Sequence, residues 1–446
     1  MSQETPPPRR HWLRRLYPYA VGFLGGILVL VLIDSVRGIL DHSRALEPGD
    51  LVVLSGTDTS TGAQRQHLLD RWNADHPRNQ ARLEELPNSA DLQHSGLVSQ
   101  AQRNDGRVDV YNLDVTWIPE FAAAGYIRPF GSTDTNGFLP QPLASCEFDH
   151  KLWALPFNTD AGLLYYRTDV LGKGGERIPA QLPPSPEDMR QIASQPPATG
   201  APGIQAGYVT QLRSYEGLTV NALEAIWAAG GEVVSPDGRI VLDPDQAARA
   251  LEPLAQGSTA GPGQKPGLLA ESEQDDEKQT AIAFASGTVT MMRNWPVWYG
   301  NLKHRPDQAS TSGFDITAHF NVKPLRHSVL GGQDLAIATG TTKPKAAKAL
   351  IEFLTNPANE RTLFGDGGLP ATRADAYRDS GVVAKQPYAP VLLEALKDAR
   401  PRPVTTHYPL FSDTFQDIIN QALHNNGKLP ADAARRLANA LAGRIQ

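Results

Sequence analysis

Residues 155–171 read LPFNTDAGLLYYRTDVL, and the parsing of this stretch decides the fold. Pro156 stiffens the entry, and Asn158, Thr159 and Asp160 follow as three small polar residues. Leu163, Leu164, Tyr165 and Tyr166 then form an apolar, aromatic run, and Thr168-Asp169 starts a helix. Such a run suits the pleated surface of a buried strand. A buried strand does not account for the acid at its mouth. Two readings stand: a polar turn before a core strand, or a carboxylate facing a cleft and accepting hydrogen bonds from a polar ligand.

Upstream, short apolar strands at 51–56, 81–86 and 107–113 alternate with helical patterns after 57–61, at 92–102 and at 117–124, the first marked by Leu68, Leu69 and Trp72. This rhythm predicts a parallel α/β sheet, whose ligands bind at the carboxyl ends of the strands. Asp58, Asp114 and Asp160 all fall at such ends. Asp58 reads equally as a helix cap, within the hydroxyl-rich run 57–61.

Downstream, 172–207 is loop-rich around a short helix near Glu187. Helices are expected at 218–229, stopped by Gly230-Gly231, at 244–256 and at 278–286. Residues 257–278 read as an exposed loop whose acidic run is a solvated face. A strand at 289–292 leads into Arg293-Asn294-Trp295-Pro296-Val297-Trp298-Tyr299. Indole faces pack on the C–H faces of sugar rings, while amides and carboxylates take the hydroxyls. Trp298 is expected to pack in the core. A strand at 330–337 carries Gly331-Gly332, which allows close approach of backbone to a ligand. A helix at 343–355, a Gly/Pro loop at 365–372, and helices at 412–423 and 431–442 complete the chain.

The 446 residues exceed one ordinary core and suggest two lobes. A net charge of -6, with no Arg/Lys stripe, argues against nucleic acid as a partner. The lone Cys146 makes no intramolecular disulfide and reads as a buried, inert thiol, and the scattered histidines form no zinc motif. Residues 16–33 are apolar and uncharged, preceded by Arg9, Arg10, Arg14 and Arg15. This arrangement puts residues 1–15 in the cytoplasm and the body outside it. Small residues do not follow the run closely, so an uncleaved anchor at 16–34 with a tether at 35–49 fits better than a cleaved signal, which would release a secreted protein.

Seven segments in register over about 51–423 resemble the sugar-binding proteins of bacterial ABC importers, most like the trehalose/maltose-binding branch. They are VDVYNLDVTWIPEFAAAGYI (108–127), the 155–171 stretch, SYEGLTVNALEAIWAAGG (214–231), MMRNWPVWY (291–299), GGQDLAIATGTTKPKAAKALIEFLTNP (331–357), GGLPATR (367–373) and RPRPVTTHYPLFSD (400–413). The resemblance implies an α/β, two-lobed periplasmic-binding-protein-like fold joined by crossover hinge strands and preceded by one N-terminal transmembrane helix. Lobe 1 would take 50–158 and 331–372, and lobe 2 would take 159–330 and 373–446.

It also implies that Asp114, Asp160, Trp295 and Arg402 contact sugar between the lobes. Asp58, Asn158, Tyr215, Glu216, Asn294, Gly332 and Gln333 are further ligand-binding candidates from the same motifs. Gln333 stands where relatives commonly carry tryptophan, His94 where they often carry arginine, and the usual lipid-carrying cysteine is absent. No catalytic step, metal or cofactor is implied. The expected partners are a di- or oligosaccharide and either the permease subunits of an importer or a membrane signalling protein. A glycosidase is the third reading, since carboxylates ring the proposed cleft.

Overall fold

The computed structural model describes residues 45–87, 89–197, 200–304 and 314–444. The expected membrane segment at 16–34 lies outside the described residues, and among them no helix is long and apolar enough to cross a membrane.

Strands β1 (Leu51–Gly56), β2 (Ala81–Leu86) and β3 (Val110–Asp114) run parallel, as the alternating rhythm requires. Every residue of β1 is buried, so its apolar run reflects cover on both faces. Leu97 and Ala101, from the helix Ala90–Arg103, pack with Val52, Leu54, Tyr111 and Leu113. A two-residue ribbon, β4 (Glu147–Phe148) with β5 (Lys151–Leu152), precedes β6 (Ala154–Ala161). Beside it the lone Cys146 is fully buried, and burial pushes its thiol pKa up.

The 155–171 stretch leaves one sheet and enters another. Strand β6 belongs to the first sheet, order β2-β1-β3-β11-β6, where β11 is Leu330–Ile337. Gly162 follows, and β7 (Leu163–Arg167) lies in the second sheet. That sheet also holds β8 (Ala206–Val209), β9 (Val289–Asn294) and β10 (Phe320–Pro324), in the order β10-β7-β9-β8. Asn158, Thr159 and Asp160 are therefore strand, paired with Gln333, Gly332 and Gly331, and no turn precedes the core run. The first sheet is mixed rather than parallel. β11, which arrives from the second sheet after β10, runs antiparallel to both β3 and β6.

Strand β7 is apolar on both faces for a reason visible in the packing. Leu164 and Tyr166 join the core containing Leu218, Ile226, Phe411 and Phe415, whereas Leu163 and Tyr165 join that containing Phe284, Phe320 and Leu392. Residues Pro48–Gln446 form one compact unit.

Two further expectations need correction, and one segment carried none. The loop expected from 365 begins instead inside a helix, Pro357–Gly367. A Cβ on Gly367 would lie 2.9 Å from Gln64 Cγ, so the glycine serves close packing against the helix Gln64–Asp75. Residues 257–278 are not simply solvated: Leu268, Leu269 and Ser272 are buried, and the Ser272 carbonyl accepts from Leu212 N at 2.9 Å. The helices Ser380–Lys385 and Ala389–Asp398 occupy a segment for which the sequence pattern suggested nothing.

Candidate functional site

Between the two sheets lies a cavity that opens to solvent. Asp114 at the end of β3, Asn158 and Asp160 on β6, and Gly332 and Gln333 on β11 line it from the first sheet. Tyr215, Glu216, Trp295 and Arg402 line it from the other side.

Arg402 is the tie across the cavity. Its Nη2 donates to Asp114 Oδ1 at 2.8 Å and its Nη1 to Glu216 Oε1 at 2.7 Å. The guanidinium is almost fully buried, and although burial alone would lower its pKa, Asp114, Tyr408 and Glu216 drive it up. Both carboxylates have further donors. Thr116 Oγ1 reaches Asp114 at 2.7 Å, while Tyr408 Oη and Ser412 Oγ reach Glu216 at 2.5 and 2.6 Å. Arg402 Nε has no protein partner.

Asp160 is in a different electrostatic state. Burial raises its pKa to about 7, against the opposing pull of Arg65 and Arg293, and Asp114 adds to the rise. Asp160 Oδ1 and Asn158 Oδ1 make no hydrogen bond with the protein. Buried polar atoms in native proteins are nearly always paired, so these orphan acceptors are open to a donor from outside the protein. Gln333 Oε1 accepts from Arg65 Nη2 at 2.6 Å and Asn112 Nδ2 at 3.1 Å. Its neighbour Gly332 has φ +126°, and a Cβ there would sit 2.3 Å from the Asn158 carbonyl oxygen. The glycine is thus required by the approach of β6, in addition to lining the cavity.

The aromatic wall is larger than expected. Trp295 donates from Nε1 to Glu277 Oε1 at 3.3 Å, and Arg293 covers its ring, 3.9 Å from guanidinium carbon to ring centroid. Trp298 packs against the core that holds Phe284 and Phe320, as expected, but it is only half-buried and also lines the cavity. Trp117 lines the cavity from the first sheet, and Tyr215 folds back over Gly217 at the start of the helix Glu216–Ala228. Neither Trp117 nor Arg65 stood out in the sequence. Arg65 sits in an ordinary helical pattern, and only its burial beside Gln333 reveals it.

Asp58 and Asn294 are not among the lining residues. Asp58 accepts from the backbone N–H of Ser60 (3.0 Å) and Arg65 (3.1 Å), organising the turn before the helix Gln64–Asp75. Asn294 is fully buried; it donates to the Glu277 carbonyl and accepts from Trp295 N, setting the exit from β9.

A second compartment of about 490 Å³ shares Asp114, Trp117, Glu216 and Arg402 with the first and continues past them to His94, Tyr408 and Ser412. His94 Nε2 is 2.7 Å from Glu120 Oε2. Among the described residues, no group of three or more His, Cys, Asp or Glu could hold a metal ion.

The arrangement can hold a polyhydroxylated molecule against indoles, with acids and one arginine as hydrogen-bonding partners. Comparison with known proteins agrees. A probable ABC transporter-binding protein of Deinococcus radiodurans is 29% identical over 394 residues, covering 84% of this chain and 88% of that protein. The maltose-bound structure of T. maritima MalE3 aligns with a TM-score of 0.74 at 26% identity, over 88% of this chain and 99% of the other. The GacH receptor of Streptomyces glaucescens shares the fold, with a TM-score of 0.69 at 21% identity over 90% of this chain and 100% of its own. The family model for bacterial extracellular solute-binding proteins matches residues 68–391. The chain therefore belongs to the bacterial extracellular solute-binding proteins, as the resemblance to the sugar-binding components of ABC importers implied.

Proposed function

We propose that the protein binds a neutral di- or oligosaccharide in this cavity and delivers it to an ABC importer. The observation that carries the reading is the Arg402 tie, which joins Asp114 at the end of β3 to Glu216 at the start of the helix Glu216–Ala228, across a cavity bearing orphan acceptors and indoles. A ligand touching both sides favours the closed arrangement over an open one, and that difference in affinity drives closure. The second compartment continues the same polar wall past Arg402, where a longer ligand would extend. In this reading lobe 1 is 50–158 with 331–372, lobe 2 is 159–330 with 373–446, and residues 16–34 hold the body at the outer face of the membrane. Binding, not hydrolysis, is the activity.

A thermal-shift and calorimetric screen of maltose, trehalose and longer maltodextrins tests this. At least one should raise the melting temperature, and Trp295→Ala should weaken its binding by roughly 1–3 kcal/mol. No response to any neutral sugar would remove the proposal. Co-purification with permease subunits is expected, and a kinase or protease in their place would turn the same clamp into a sensor.

A further inference from the structure

One buried cluster lies outside the cavity wall, at the point where the chain passes between the sheets. Glu224, two turns along the helix from Glu216, accepts from Arg293 Nε at 3.0 Å and Nη2 at 2.8 Å. The same carboxylate takes Ser328 Oγ at 2.9 Å and the Val329 N–H at 3.1 Å. Ser328 Oγ in turn accepts from the Gly162 N–H at 2.6 Å. Gly162 is the single residue between β6 and β7, and Ser328 and Val329 lie between β10 and β11. Arg400 is bonded to the same segment, because Leu330 N donates to the Arg400 carbonyl and Arg400 N to the Ser328 carbonyl, both at 2.8 Å.

The other face of Arg293 is stacked on Trp295, which lines the cavity. The space is tight: a Cβ on Gly162 would lie 2.8 Å from Arg293 Nη2 and 3.0 Å from Glu224 Oε1. Trp295 is thus linked to Arg293, Arg293 to Glu224 by two bonds, and Glu224 to the backbone of the two crossings. We propose that Arg293 and Glu224 are positioning residues that couple occupation of the Trp295 face to the hinge at Gly162 and Val329. The coupling rests on the sugar-binding reading for its purpose, although its first test needs no ligand.

In that test, amide hydrogen exchange is followed on the ligand-free full-length chain. Trp295→Ala is expected to speed exchange at the Gly162 and Val329 amides by about tenfold or more while leaving Met291 on β9 unchanged. Unchanged hinge amides would overturn the coupling, whether or not any sugar binds. The second test uses maltose as the probe in a double-mutant cycle. Glu224→Gln alone should weaken maltose binding, but add nothing once Trp295 is already Ala. Independent, multiplying losses would also overturn it. If wild-type protein ignores maltose, the sugar reading loses support, and the exchange result still decides the hinge.

Discussion

Removing the charge of Arg402 by Arg402→Met keeps most of the side-chain volume and deletes both arms of the tie. A charge-assisted hydrogen bond contributes about 1.5–3 kcal/mol, so two give an upper range of roughly 3–6 kcal/mol. Breaking a buried pair by removing one partner costs roughly 3–5 kcal/mol, chiefly from the charge left behind. Here the stranded carboxylates keep other donors, since Glu216 retains Tyr408 and Ser412, and Asp114 retains Thr116. The desolvation cost of Arg402 itself also disappears. We therefore expect about 3 kcal/mol, the low end of the pair-breaking range, read as a drop in urea-unfolding free energy of the full-length chain followed by tryptophan fluorescence. Arg402→Lys should recover only part of it, because a single ammonium cannot present two parallel donors to acids on opposite sides. A loss below about 1 kcal/mol for the Met variant would mean that these bonds behave like exposed ion pairs, and Arg402 would fail as a tie across the cavity.

Asp160→Asn should stabilise the ligand-free protein at pH 8 while weakening sugar binding. The folded pKa of about 7 stands above the ordinary carboxylate value, so the folded state holds this proton more tightly than the unfolded one. The stability it contributes is therefore full below about pH 4 and lost as pH rises through about 7. Asp334 and Glu360, both raised to about 8 by burial, titrate as well, so the informative quantity is the difference between wild type and variant across pH 4–8. A parallel pair of stability curves would count against the assignment. Gly332→Ala should cost about 2–4 kcal/mol in urea unfolding, from the strained φ and the overlap with the Asn158 carbonyl; a loss under about 0.5 kcal/mol would show that β6 gives way easily. Trp117→Ala should reduce affinity for the sugar found in the screen by roughly 1–2 kcal/mol, and calorimetry showing no change would take this indole out of the binding wall.

The elements that the sequence pattern located well are those whose burial is written in period. β1, β9 and β11 fall within two residues of expectation because each is a run of buried residues ended by polar or glycine signals. The 155–171 stretch gave up its aromatic strand but concealed the strand character of Asn158-Thr159-Asp160, since pairing with the glycines of β11 is a long-range fact. The helix start after β1 was legible in composition and misleading in detail. Ala63 occupies the cap position in a left-handed conformation, and the bonds come from Asp58 and Ser60 further back. Nine of the eleven residues named for the site line the cavity, and these followed from the family resemblance. Arg65 and Trp117 did not, because their importance depends on what lies opposite them in space.

Cys146 has a practical consequence. It is the sole cysteine of the chain, it is sealed in the interior, and its thiolate is disfavoured there. A cysteine introduced at the rim of the cleft would be the one position that a maleimide dye reaches in the native protein. The chain can thus be turned into an optical reporter of its own ligand by a single substitution, without first removing any native thiol.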